Sequence, residues 1–121
     1  MIIEQASVGF EEALRLSRLL FGNQDRLIVL AAVADSTSGS IFCRSLAESI
    51  GVTDNRVGAQ LANLEEAGLL VRMPKVGGER RVYYERVESA LWALATALAE
   101  EIAAKPETAG DVTGARRTSR L

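Results

Sequence analysis

A chain of 121 residues and 13.0 kDa, 48% apolar and 25% charged, predicts one compact domain with no separate catalytic domain beside it. The single cysteine, Cys43, cannot make an internal disulfide, and the absence of histidine excludes Ser–His–Asp triads, HExxH sites and zinc fingers. The longest apolar run, residues 27–34, is far shorter than the roughly twenty residues of a membrane helix, so the expectation is a cytoplasmic protein without a membrane partner.

Residues 1–9 read as an N-terminal arm. Phe10, Ala13, Leu14, Leu16, Leu20 and Phe21 then recur at helical spacing until Gly22-Asn23 breaks the chain. A second, strongly apolar helix is predicted over residues 24–34. After the polar loop 35–40, Ser40 is a candidate cap for a helix over 41–50, whose inner face is Phe42, Cys43, Leu46, Ala47 and Ile50. Gly51-Val52 ends it. Thr53 is a good N-cap for the next helix, over 54–67, which buries Val57, Leu61 and Leu64 and stops at Gly68.

A hairpin is predicted over 69–76 and 79–85, turning at Gly77-Gly78. Centring the turn on the two glycines pairs Val71 with Tyr84 and Met73 with Val82, and leaves Arg72 and Tyr83 on the opposite face. Pro74 implies an edge strand. In the final helix, 87–104, only Glu88, Ser89, Thr96, Glu100 and Glu101 are polar, so it must be covered on more than one side. The composition of 105–121 predicts a disordered tail, and Arg116, Arg117 and Arg120 there suit a merely soluble end.

The net charge of −2 hides an asymmetry. Residues 87–104 carry three acidic groups and no basic one, whereas Arg72, Lys75, Arg80 and Arg81 face only Glu79 across ten residues of the hairpin. Positive charge gathers at the hairpin, which suits phosphates or a narrow minor groove, although it also suits a solubilised strand edge.

The order of three helices, turn, helix, hairpin, helix is that of a mainly α fold with a small β-hairpin (α+β), a winged helix-turn-helix over residues 10–104. Leu46-Ala47 to Leu61 supports it through an A-x3-G-x5-V-x3-L pattern: Ala47 lets two helices cross closely, Gly51 allows a left-handed turn, and Val57 with Leu61 fills the angle between the helices.

The sequence resembles the ArsR-like branch of bacterial winged-helix transcriptional regulators, with MarR-like proteins as near relatives. The resemblance rests on residues 25–30 (DRLIVL), on 46–64, on 65–70 (EEAGLL) and on 81–84 (RVYY). It implies a homodimeric operator-binding protein, a repressor by expectation, dimerised through terminal helices 10–21 and 87–104. Metal sensing does not carry over. Where the family's sensors place paired cysteines this chain reads Ile41-Phe42-Cys43-Arg44, and residues 87–104 hold no Asp, His or Cys.

With Val57, Leu61 and Leu64 facing the core, the spacing puts Asn55, Arg56, Ala59, Gln60 and Asn63 outward and Thr53 and Asp54 at the leading end of the helix. Asn and Gln can each make two hydrogen bonds to adenine and Arg two to guanine, though the same residue types furnish ordinary solvated faces. The expected DNA-binding set is therefore Thr53, Asp54, Asn55, Arg56, Gln60, Asn63, Lys75, Arg80 and Arg81. The expected dimer interface is Phe10, Leu14, Leu91, Trp92, Leu94, Leu98 and Ile102. Trp92 lies either at the dimer seam or along a pocket for an unidentified small-molecule effector. Cys43 reads more readily as a small buried hydrophobe than as a redox switch.

No cofactor, no metal site and no enzymatic activity are expected. One competing reading is a winged-helix module that binds protein instead of DNA, suggested by the acidic total and a recognition helix with one basic residue. Another is the dimerisation half of an enzyme, against which no Gly-rich cofactor loop follows residue 87.

Overall fold

The computed structural model describes residues 2–37, 39–75, 77–78 and 80–104. Along them the chain forms α1 (Phe10–Phe21), α2 (Arg26–Asp35), α3 (Cys43–Ile50), α4 (Asp54–Glu66), β1 (Leu70–Arg72), β2 (Tyr84–Arg86) and α5 (Ala90–Ala104). The architecture is mainly helical with one small antiparallel sheet, as the sequence predicts. No helix among the described residues is long and apolar enough to cross a membrane.

Helix α2 is the axis of the core. Its seven residues from Leu27 to Val33 are all buried, because α1, α3, α4 and α5 pack around it. Arg86 closes its C-terminal end: Nη1 donates to the carbonyls of Val33 (2.7 Å) and Ser36 (2.6 Å), supplying donors and a positive charge where the helix leaves carbonyls open. At the other end the buried Ser17 hydroxyl donates to the Asn23 carbonyl (2.6 Å) and accepts the Leu27 N–H (2.9 Å), which ties α1 to α2.

Helix α3 begins two residues later than the spacing predicts. Ile41 is extended and forms a single antiparallel bridge to Tyr84, whose N–H donates to the Ile41 carbonyl at 2.9 Å. A β-branched side chain that is fully buried there suits a strand position beside Tyr84 better than a first helical turn. Phe42 takes the N-cap position, and the Ser40 hydroxyl donates to the Thr37 carbonyl instead of capping the helix.

The turn after α3 needs glycine twice over. Gly51 has φ +78°, and a Cβ on it would come within 2.9 Å of the Gln5 Cβ. That contact shows the arm 2–9 docked on the turn: the Gln5 N–H donates to the Ile50 carbonyl at 2.8 Å, and Ile3 is buried in the core. Thr53 then caps α4 as expected, its Oγ1 accepting from the Arg56 N–H. Val57, Leu61 and Leu64 are buried.

The hairpin register differs from expectation by one residue. Leu70 pairs with Arg86, Val71 with Glu85 and Arg72 with Tyr84, and the Met73 N–H donates to the Tyr83 carbonyl, so the pairing is centred on Gly78 instead of between the two glycines. A one-residue slip exchanges the faces of one strand relative to the other. Leu70, Val82 and Tyr84 turn toward the core, while Val71 (53% exposed) and Met73 face outward and Arg72 lies on the Tyr84 side. The Ile41 bridge holds Tyr84 in place, and the turn glycines follow. The regular strands are also shorter than predicted, with Pro74 beyond the end of β1, the edge strand.

Helix α5 starts at Ala90, where the Ser89 hydroxyl accepts the Leu91 N–H at 3.1 Å. Ala95, Ala99 and Ile102 are its buried residues. The predicted tail 105–121 lies outside the described residues.

Candidate nucleic-acid interface

The candidate surface is built from α3, the turn 51–53, α4 and the hairpin. Thr53, Asp54, Asn55, Ala59 and Asn63 are exposed along α4, and Lys75, Arg80 and Arg81 are exposed on the hairpin. Arg81 lies over the Phe42 ring, 4.7 Å from its centroid, and Tyr83 meets the same ring edge-on at 5.1 Å. This stack joins the return strand of the hairpin to the start of α3 and aims Arg81 along the protein surface.

Two of the expected readers sit differently. Gln60 is 2% exposed instead of facing outward. The reason is in the spacing: 57, 60, 61 and 64 form one helical stripe, so Gln60 belongs to the buried face that Val57, Leu61 and Leu64 define. Its amide is satisfied there, Oε1 accepting from Arg26 Nε and Nε2 donating to Asn23 Oδ1 at 2.8 Å. Asn23 Oδ1 also accepts the Asp25 N–H at 2.8 Å.

Arg56 closes the same network from its outer edge. Its Nε and Nη2 grip both carboxylate oxygens of Asp25, a buried acid at the N-cap of α2. The hydrogen bonds and charge of Asp25 raise the guanidinium's already high pKa, against the opposing effect of burial. Asn23, Asp25, Arg26, Arg56 and Gln60 thus bolt the start of α2 to the middle of α4. In this conformation neither Gln60 nor Arg56 is free for a base edge. The sequence signal for this was the polar Asn23 to Arg26 stretch opposite a polar residue on an apolar stripe.

Two more arginines on this flank are paired with carboxylates. Arg44 Nε lies 3.0 Å from Asp54 Oδ2, and Arg72 Nε lies 2.9 Å from Glu65 Oε2. Cys43, half-buried between α3 and α4, donates its S–H to the Asp54 carbonyl at 3.3 Å. Burial pushes its thiol pKa up, the Asp54 charge adds to this, and Arg44 opposes it. Among the described residues no three of His, Cys, Asp and Glu come together as a metal site.

The expected dimer residues divide. Phe10 and Ile102 are buried in the chain's own core, as are Ala95 and Ala99, because α5 turns its small residues onto α2 and its end onto the start of α1. Leu14, Leu91, Trp92 and Leu98 are partly buried against that core, and Trp92 Nε1 donates to the Val87 carbonyl at 2.8 Å. Leu94 stands 48% exposed, with Leu19 and Leu20 of α1 more exposed still. A shallow groove of about 500 Å³ runs beside α5, with Ala34, Arg86, Trp92, Thr96 and Glu100 along it.

No protein-family model matches this chain, and no curated protein sequence is detectably similar to it.

Proposed function

We propose that the chain is a winged helix-turn-helix DNA-binding protein, a homodimeric transcriptional regulator in which α3 and α4 are the motif helices and the hairpin is the wing. One observation carries this reading: α4, held on α3 by a tight Gly51 turn and capped by Thr53, leaves Thr53, Asn55, Ala59 and Asn63 uncovered, and a hairpin with exposed Lys75, Arg80 and Arg81 follows it directly. Asn55 and Asn63 are the base readers in this proposal, small, exposed Ala59 permits close approach to the groove, and the wing cations contact phosphate. Arg56 and Gln60 act by fixing α4 on α2. The homodimer forms through the apolar side of α5 around Leu94 with Leu19 and Leu20 of α1.

Selection from random duplexes followed by titration tests the reading. A pseudo-palindrome with half-sites about one helical turn apart is expected. Asn55→Ala or Asn63→Ala should relax preference at particular positions by roughly 1–3 kcal/mol where the contact is bidentate. Arg80→Ala with Arg81→Ala should weaken binding to all duplexes alike. Absence of any duplex preference at low salt overturns the proposal. A protein-binding module is the second reading, favoured by the pairing of Arg44, Arg56 and Arg72 with carboxylates of the same chain.

A further inference from the structure

Three arginines surround α4, and each is held by an acid of the same chain. The pairs are not equal. In Arg56–Asp25 the side chains are only 34% and 11% exposed and the carboxylate is gripped by two nitrogens, so it is part of the framework. In Arg44–Asp54 the side chains are 66% and 47% exposed, and in Arg72–Glu65 they are 58% and 33% exposed, so both arginines are more open than Arg56. Each of these two pairs rests on contacts from one guanidinium nitrogen, Nε. An exposed pair of this kind gains little from its own attraction and exchanges readily for another anion.

Arg44 lies at the start of α3 and Arg72 at the end of β1, and through Asp54 and Glu65 they are held at the two ends of α4. We infer that Arg44 and Arg72 are additional contacts for the phosphate backbone of a nucleic acid, and that Asp54 and Glu65 act as built-in counter-anions that a phosphate must displace. The inference deepens the proposed DNA-binding reading and rests on it for the identity of the polyanion. It gives Asp54 a role opposite to base reading: it lowers affinity for every duplex equally and so leaves a larger share of the binding free energy to positions that read sequence.

The test is fluorescence anisotropy with a random-sequence duplex at low and moderate salt. Asp54→Asn and Glu65→Gln should each bind more tightly than the wild type. Each released arginine should add about 0.9 per protomer, and so about 1.8 per homodimer, to the slope of log K against log salt, so that the gain shrinks about twelvefold between about 50 and 200 mM. Combining Asp54→Asn with Arg44→Ala, or Glu65→Gln with Arg72→Ala, should abolish the gain. Glu101→Gln, an exposed acid on α5, should leave binding unchanged.

An unchanged affinity in both single variants overturns the inference, as does a gain that survives removal of the partner arginine, since that reports net charge alone. A wild type that ignores all duplexes while Asp54→Asn binds them supports the counter-anions and defeats the regulator reading. A wild type with a selected operator but no gain in either variant does the reverse.

Discussion

Helices α2 and α5 have the same kind of sequence and different fates. Both are apolar on nearly every side, yet α2 buries seven consecutive residues whereas α5 buries only Ala95, Ala99 and Ile102 and leaves Leu94 half in water. The difference lies in what surrounds them. Helix α2 is enclosed by four helices of its own chain, but α5 finds only α2 and, more lightly, α1 among the described elements. The neighbours of α5 cover one side of it and leave apolar surface open on the other, and the α5 residues that face α2 are mostly alanine, which lets the two axes approach closely.

The largest expected effect tests that contrast directly. Leu27→Ala or Leu30→Ala, at fully enclosed positions of α2, should cost about 2–5 kcal/mol in a denaturant titration. Leu94→Glu, in the open stripe of α5, should leave the unfolding of the dilute chain within about 1 kcal/mol of wild type, while sedimentation at micromolar concentration falls from dimer to monomer. If Leu94→Glu unfolds the chain as Leu27→Ala does, the two helices are equally enclosed and the contrast is lost. A wild type that sediments as a monomer removes the homodimer.

The same contrast recurs within α4, on a smaller scale. Gln60 and Asn63 are both amides on one helix, three residues apart, but Gln60 is enclosed by Asn23 and Arg26 while Asn63 is open. Gln60→Ala removes a buried side chain, takes the partner of the half-buried Arg26 Nε and one of the two bonds of Asn23 Oδ1, and should cost on the order of 1–3 kcal/mol. Asn63→Ala should fall within about 0.5 kcal/mol. Equal losses in the two variants would mean that the network contributes nothing to holding α4 on α2.

Most of the fold was legible because it rests on local signals. The break at Gly22, the Thr53 cap, the Gly51 turn and the stop at Gly68 are each set by one or two residues whose backbone preferences decide the matter. What could not be read came from contacts distant in sequence. The Ile41 bridge to Tyr84 shortened α3 and fixed the hairpin register, overriding the paired glycines. The polarity of Gln60 points outward, but its position lies on the apolar stripe, and the stripe decides. Its partners, Asn23 and Arg26, are 37 and 34 residues away, so the polar stretch that holds them is joined to Gln60 only by the fold. The docking of Gln5 on the Ile50 carbonyl was equally silent. Of the candidate interface, the hairpin cations and the outer residues of α4 were legible from charge and spacing, whereas the carboxylates that hold Arg44, Arg56 and Arg72 were not.

Cys43 stands on the border between the enclosed and the open parts, and its chemistry measures how closed that border is. Its thiol is half-buried, donates its S–H to the Asp54 carbonyl, and has a pKa raised first by burial and then by the Asp54 carboxylate, with Arg44 acting the other way. The thiolate is the reactive form, so a raised pKa reduces its fraction at any pH below that value. Alkylation by iodoacetamide at pH 8 should therefore be severalfold slower in the folded chain than in denaturant, and the folded rate should keep climbing above the pH at which an ordinary thiol levels off. Asp54→Asn removes the charge that raises the pKa and should speed the reaction modestly, while leaving the backbone carbonyl that accepts the S–H. A folded rate equal to the denatured one would show that the α3/α4 crossing opens to solvent at Cys43.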